Sequence, residues 1–424
     1  MSVALARAFL DGEWAFEALI ERGIIVLGRR RRVLGVARDV LDVYHRAPLD
    51  RPHELALVID ASVRRRRLRV REPARWFTFE PEMGRMRWPV PPITTVAALA
   101  AFLDLDYGRL QWFADARGLE RSVTAERLRN YRYGWFHRPG SSVRVIEKPK
   151  HDLKAAQRRI LREILDHVPA HDAAHGFRRG RSVVTHARAH VGRRVVMRFD
   201  LESFFASVEG GRVFGIFRTM GYPESVAHVL TALCVNVVPR DEWATVAPPA
   251  DASLLDAHRR LGRRLAAPHL PQGAPTSPGL ASLAALGLDR RVAGLAASVG
   301  ATYTRYADDL ALSGDERLLA IAPTVRAAVA AIARDEGFRI NARKSQLMTS
   351  AGRQRICGVV VNAHPNVTRA EYDTLKAILH NAAQRGPDLE RAHLLGRIAW
   401  VEAVNPARGE RLRERFAQIE WPAA

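Results

Sequence analysis

The sequence predicts an α+β protein preceded by a basic, mainly helical N-terminal extension. Three observations lead there. Short apolar strands and amphipathic helices alternate from Tyr131 onward. No G-x-G-x-x-G accompanies them, so a dinucleotide fold has no support. The first ninety or so residues read as helical and carry two four-arginine runs, Arg29–Arg32 and Arg64–Arg67. At 424 residues the chain is long enough for roughly three structural units. Its 47% hydrophobic and 26% charged residues are the balance of a folded rather than a disordered protein.

In chain order, the proline-rich break Arg87–Pro92 sets the first boundary. Thr94 to Leu119 holds two short amphipathic helices with Leu99, Leu103, Leu105 and Leu110 as core positions. A DNA-reading helix-turn-helix shares that pattern, but two packed helices are the commoner meaning. Ser142–Ile146 alternates as a strand that Pro149 closes, and a long helix follows through Leu153, Gln157, Ile160, Leu161 and Leu165. Val195–Phe199 is a strand ending in Asp200. Ala301–Thr304 and Leu310–Leu312 form a strand pair turning through Tyr306–Asp309. Leu318–Ala333 reads as one amphipathic helix and Phe338–Ile340 as a further strand. No internal repeat is visible.

Charge narrows the partners. Lys+Arg is 66 against 45 Asp+Glu, a net +21, and such a surplus favours a polyanion, because neutralised phosphates release condensed counterions. Lysine occurs only at positions 148, 150, 154, 344 and 376. A GC-rich genome accounts for that ratio but not for the net charge. Either arginine run reads equally well as a solvated face or as a nucleic-acid contact. Cys234 and Cys357 build neither a disulfide framework nor a zinc site. Arg7, Asp11 and Glu13 make a poor secretory signal, and no apolar stretch reaches the ~18 residues of a membrane span. A cytoplasmic protein without a membrane partner is expected.

Three aspartates carry the chemistry. Asp200 ends an apolar strand, and Asp308 and Asp309 sit together at a hairpin tip. Adjacent carboxylates in a tight turn repel one another, and a divalent cation would reward the placement. Magnesium is hard, prefers oxygen, and is usually held by one or two carboxylates plus substrate phosphates. Two such ions roughly 3.5–4 Å apart stabilise both oxygens of an in-line phosphoryl displacement.

Phe199-Asp-Leu-Glu-Ser-Phe-Phe205, Pro271-Gln-Gly-Ala-Pro-Thr-Ser-Pro278 and Tyr306-Ala-Asp-Asp309, in this order, resemble the palm of reverse transcriptases. Arg144–Pro149 with Leu153, Lys154 and Gln157, then Ala174–Ser182, resemble the fingers of bacterial members. Asn341–Ser345 resembles the motif whose lysine approaches the triphosphate, and Cys357–Asn362 the start of the primer grip and thumb. Within the family the likeness is to retron enzymes. Their N-A-x-x-H element stands here as His186-Ala-Arg-Ala-His190, and their V-T-G then V-N as Ile356-Cys-Gly358 then Val361-Asn362. Both elements depart from the common spelling. The likeness runs from about Pro92 to the C-terminus.

The resemblance implies a right-hand polymerase: an N-terminal extension over 1–91, fingers with the start of the palm over 92–199, palm over 200–360, and helical thumb over 361–424. Asp200 and Asp308 would bind two Mg2+ ions, with Mn2+ able to substitute, helped by Asp309 and the Leu201 carbonyl. Arg144 and Lys148 would touch the triphosphate, Phe205 would gate the sugar, Gln272 and Gly273 would lie under the nascent base pair, and Lys344 would protonate pyrophosphate. Core packing for Phe205 and surface solvation for Lys344 stay open. His186, His190, Arg178, Arg181 and Asn362 are candidates for RNA or DNA contact, although His186 and His190 at i and i+4 also fit a plain helix-face pair. Implied partners are dNTPs, a structured non-coding RNA serving as primer and template, its branched RNA–DNA product (msDNA), and an accessory effector in phage defence; homo- or hetero-oligomers stay open. An intron-type enzyme should continue into a maturase region, and this chain runs only about sixty residues past Asn362. Another defence-associated reverse transcriptase, or an RNA-binding scaffold with a relict palm, is the alternative.

Overall fold

The computed structural model describes residues 2–68, 77–137, 143–386 and 390–421. Four helices come first: α1 (Ser2–Leu10), α2 (Phe16–Leu27), α3 (Arg30–Val43) and α4 (Pro52–Arg65). Then come α5 (Val96–Leu103), α6 (Tyr107–Phe113), the antiparallel pair β1 (Tyr131–Phe136) and β2 (Arg144–Pro149), α7 (His151–Glu163), α8 (Val183–Arg188) and β3 (Val195–Asp200). The middle of the chain is helical: α9 (Gly210–Thr219), α10 (Glu224–Cys234), α11 (Arg240–Ala244), α12 (Leu255–Leu265), α13 (Ser277–Ala284) and α14 (Leu286–Ser298). After it run β4 (Thr302–Tyr306), β5 (Asp309–Gly314), α15 (Glu316–Ala320), α16 (Ala322–Asp335), β6 (Gln346–Thr349), β7 (Arg355–Ile356), β8 (Val359–Val360), α17 (Arg369–Arg385), α18 (Arg391–Val404) and α19 (Pro406–Ala417).

The chain divides into two compact units. One comprises everything up to Val168 together with Glu209–Ser277; the other comprises Pro169–Val208 and Pro278–Ala424. In the first, α1–α4 bury a core of their own around Leu5, Phe9, Leu19, Ile20, Leu27, Val33, Val36, Leu55 and Ile59. That bundle is tied down at the start of α4. The Glu224 carboxylate accepts hydrogen bonds from the free N–H groups of His53 (2.7 Å) and Glu54 (3.2 Å), which suits an anion at a helix N-terminus. Arg218 grips Asp50 at 2.8 Å beside it. The pair α5 and α6 start on side-chain caps, Thr95 accepting from the Ala98 N–H and Asp106 from the Arg109 N–H. Leu99, Leu103 and Leu110 are buried there, whereas Leu105 is only half-buried because it follows the left-handed Asp104 outside both helices.

The second unit is built on an antiparallel sheet of order β4-β5-β3-β6. Side chains alternate between its faces. Val196 and Ala311 on one face pack with α8 and the C-terminal helices around Leu375, Leu379, Leu394, Ile398 and Val401. The other face bears Met197, Phe199, Leu310 and Leu312, all buried. Two expectations are corrected here. Leu318–Ala333 is not one helix but α15 and α16, broken at Ile321, because Pro323 sits in the first turn of α16 and could not occupy a helix interior. Phe338–Ile340 is not a strand: Ile340 makes only an isolated bridge to Leu201, beyond the end of β3, and the outer strand is β6. Leu161 is half-buried, and Ser142 lies outside the described residues. No described helix is long and apolar enough to cross a membrane.

Candidate active site

Register puts the carboxylates together. β3 pairs with β5 so that Asp200 stands directly opposite Asp309, and β4 pairs with β5 so that Tyr306 opposes Asp309 from the other side. A two-residue turn, Ala307-Asp308, is therefore the hairpin tip. Ala307 has φ +55°, a left-handed value that favours glycine, while Asp308 does not. Three contacts hold this turn. The Leu201 N–H donates to the Asp308 carbonyl at 2.9 Å. The buried Arg305 guanidinium donates to the Ala307 carbonyl at 2.9 Å. Residues 173–176 run along β4, with Arg305 N–H on the Ala173 carbonyl and His175 N–H on the Arg305 carbonyl, both 2.7 Å. Gly176 then passes so close that a Cβ there would lie 2.6 Å from the Ala307 nitrogen.

Arg305 is held in turn. Its fork meets Asp289 of α14 at 2.7 and 2.6 Å, and the Tyr303 hydroxyl donates to the same carboxylate at 2.8 Å. Both members of the pair are buried. Burial alone would lower the Arg305 pKa, but the Asp289 charge and hydrogen bond raise it, so the guanidinium stays charged.

Each carboxylate has its own environment. Burial raises the Asp200 carboxyl, and the Lys344 ammonium, 3.1 Å from its Oδ2, offsets only part of that rise. Burial also raises Asp308, with the Asp200 charge adding to it. Asp309 differs: Arg198, two residues before Asp200 on the same face of β3, takes both of its oxygens at 2.5 and 2.7 Å. The Cys357 thiol donates to Asp309 Oδ2 at 3.4 Å, and burial followed by the Asp309 charge keeps that thiol protonated. The like-charged, all-oxygen set of the buried Asp200 and the half-buried Asp308 suits a hard divalent cation. Asp309 as arranged is a charge-balanced anchor.

Aromatic rings line the same unit. Phe204 is buried against Phe338 (5.7 Å) and under Arg305 (5.6 Å), and Phe205, half-exposed, lies 6.1 Å from Phe177. Phe177 is 49% exposed, has φ +60°, and reaches Tyr306 at 6.3 Å.

His186 and His190 are fully buried, so they offer no direct nucleic-acid surface; this corrects the reading of them as contact residues. They bind the hairpin from beneath. His186 Nδ1 is hydrogen-bonded to the Thr304 hydroxyl at 2.6 Å, and His190 bridges Thr304 and Ser313, both at 2.7 Å. Burial lowers their pKa values to about 2 and about 3. Arg178 is half-buried and reaches the His171 carbonyl and Asp172; Arg181 is exposed beside His175. Asn362 braces a turn, accepting from the Gln354 N–H and donating to the Gly352 carbonyl.

The remaining candidates lie in the other unit, where they form a set of their own. Arg144 and Lys148 project from the exposed side of β2. Between them, the buried Glu147 binds Asn236 at 2.8 Å and His269 at 3.0 Å. Its N–H donates to the Gln272 carbonyl at 2.8 Å. Gly273 has φ +134°, and a Cβ there would strike the Glu147 carbonyl at 2.6 Å. The loop bearing Gln272 and Gly273 is thus laid directly on the strand bearing Arg144 and Lys148.

Sequence reading missed Arg198, Arg305, Asp289, Gly176 and Phe177. Phe177 and Gly176 fell inside the recognised Ala174–Ser182 segment, and Arg305 and Arg198 each adjoined a recognised motif, so adjacency was a usable signal for those four positions though not for their partners. Asp289 gave none.

A family model described as reverse transcriptase (RNA-dependent DNA polymerase) matches residues 136–378. The chain is 39% identical to the retron Mx65 reverse transcriptase of Myxococcus xanthus, over 78% of this chain and 73% of that one. It is 35% identical to the retron Mx162 reverse transcriptase of the same organism, over 78% and 68%. Identity to the retron Ec86 reverse transcriptase of Escherichia coli is 30%, over 66% and 78%.

Proposed function

Because the chain belongs to the reverse transcriptase family and is a retron-type, RNA-directed DNA polymerase, we propose that it copies one structured non-coding RNA, used as both primer and template, into a branched RNA–DNA product. Asp200, Asp308 and the Leu201 carbonyl would hold two Mg2+ ions, which when bound supply Lewis-acid stabilisation of the reacting phosphate oxygens. Asp309, neutralised by Arg198, fixes the pitch of the hairpin on which Asp308 rides. Lys344, 46% exposed at the carboxylates, holds a proton for the departing pyrophosphate. Phe205, backed by Phe204, crowds the ribose 2′ position and favours deoxynucleotides. Arg144 and Lys148 bind triphosphate oxygens, and Gln272 and Gly273 support the nascent base pair. Positioning and charge stabilisation carry such transfers. The extension, fingers, palm and thumb follow the boundaries 1–91, 92–199, 200–360 and 361–424. The enzyme works in the cytoplasm, with an accessory effector in phage defence.

The observation that carries this reading is the register that sets Asp200 opposite Asp309 with Asp308 at the tip. Primer extension on an RNA template tests it. Asp308→Asn, which keeps the turn's shape, is expected to lower the rate at least about 100-fold; an unchanged rate would refute the site.

A further inference from the structure

We propose that the end of the N-terminal bundle farthest from its Glu224 tie is a second nucleic-acid surface, one that binds the phosphate backbone of RNA outside the polymerase site. The α3–α4 hairpin carries the argument. Arg29–Arg32 open α3 and Arg64–Arg67 close α4, and the antiparallel packing brings these two runs, far apart in sequence, to one end. Arg65 and Arg66 both reach Asp39 at 2.5 Å, and the Arg66 guanidinium lies across Gly35. Arg31, Gly35 and Asp39 follow at four-residue spacing, so Arg31 continues the same stripe. With α4 fourteen residues long, this end stands about 20 Å from the Glu224 cap.

Charge is segregated rather than merely abundant. Eight arginines gather here against three paired carboxylates: Glu17 on Arg30, Asp39 on Arg65 and Arg66, and Asp60 on Arg64. The other five arginines of residues 2–68 face six acidic residues. Among the described residues, Arg29, Arg31 and Arg67 have no carboxylate partner and are exposed.

Two features run against local stability. Arg29–Arg32 occupy the N-cap and first turn of α3, where the helix dipole favours acidic residues and disfavours arginine. Arg67 has φ +52° in the closing turn of α4, with its N–H on the Arg64 carbonyl and Leu68 N–H on the Val63 carbonyl, a helix ending that ordinarily takes glycine. Cations at these two places suit an external anion. Guanidinium forks and the unbonded N–H groups of a fourteen-residue helix both match phosphate oxygens.

The test uses the full chain and a fluorescein-labelled 60-nucleotide RNA bearing a hairpin and a single-stranded tail. Arg29→Gln, Arg31→Gln, Arg67→Asn is expected to weaken binding about 10- to 100-fold and to reduce the slope of log affinity against log salt by about 2. Extension of a short primer–template should stay unchanged, and Arg29→Lys, Arg31→Lys, Arg67→Lys should restore most of the affinity. Arg317→Gln, Arg326→Gln, Arg334→Gln removes equal charge from exposed positions of the other unit and should change little. Unchanged affinity and slope in the first variant overturn the proposal, as does an equal loss in the second. Loss of binding to phosphatidylserine vesicles with RNA binding intact would overturn it too, in favour of a membrane surface.

Discussion

The tip of the β4–β5 hairpin and the arginine-rich end of the α3–α4 hairpin both crowd like charges together, and they manage the crowding differently. At the tip, burial makes every unbalanced charge costly, so two of the three carboxylates are given a nearby cation, Lys344 for Asp200 and Arg198 for Asp309, and Asp308 between them keeps a raised pKa. Beneath the tip, Arg305 is matched to Asp289 in full burial. At the bundle end, water screens the arginines, and among the described residues three of them stand without a carboxylate. Dense charge in the first place is a feature of the fold and the chemistry together. In the second it is detachable from the fold.

Substitutions that separate these cases should therefore differ in size. Arg305→Met leaves Asp289 buried without its partner and is expected to cost about 3–5 kcal/mol in urea unfolding. Adding Asp289→Leu should recover much of that. A loss below about 1 kcal/mol for the single variant would mean that the pair is not buried as described.

Lowering pH attacks the same support from below. His186 and His190 are held neutral, with pKa values of about 2 and about 3, against about 6.5 in an unfolded chain. Below pH 6.5 the unfolded state takes up protons that the folded state refuses. Stability should then fall by about 1.4 kcal/mol per pH unit for each ring, down to about pH 4. Chemical denaturation at pH 7, 6 and 5 reads the slope, and His190→Gln should remove one ring's share of it.

Gly176→Ala places a methyl against the Ala307 nitrogen and should cost about 1–3 kcal/mol. Its polymerase rate should fall more than its affinity for primer–template, since the turn carrying Asp308 must shift. Smallest of all is Arg30→Gln. Its partner Glu17 is exposed, so the loss should stay within about 1 kcal/mol in thermal unfolding.

What the sequence made legible follows the same division. Asp200, Asp308 and Asp309 were readable because each marks the end of an apolar strand or its turn, a local pattern. The hairpin itself, the α5–α6 pair and the β2–α7 sequence were readable from period and punctuation. The counter-groups were not: Arg198 meets Asp309 across 111 residues, and His186 meets Thr304 across 118. Composition offers many arginines and no way to choose among them. The histidines were misjudged because a polar pair at helical spacing says nothing about which face it points to. Pro323 was a visible break signal inside Leu318–Ala333, and the periodicity of the apolar residues on either side masked it.

The central claim is that these carboxylates make a branched DNA copy of one RNA. The direct measurement is to purify the protein from cells carrying its native flanking DNA and sequence the bound nucleic acid. Asp308→Ala, Asp309→Ala is the control. The account predicts a single short DNA joined to RNA through a 2′ branch, absent from the control. Unbranched DNA, or RNA alone on both proteins, would contradict it.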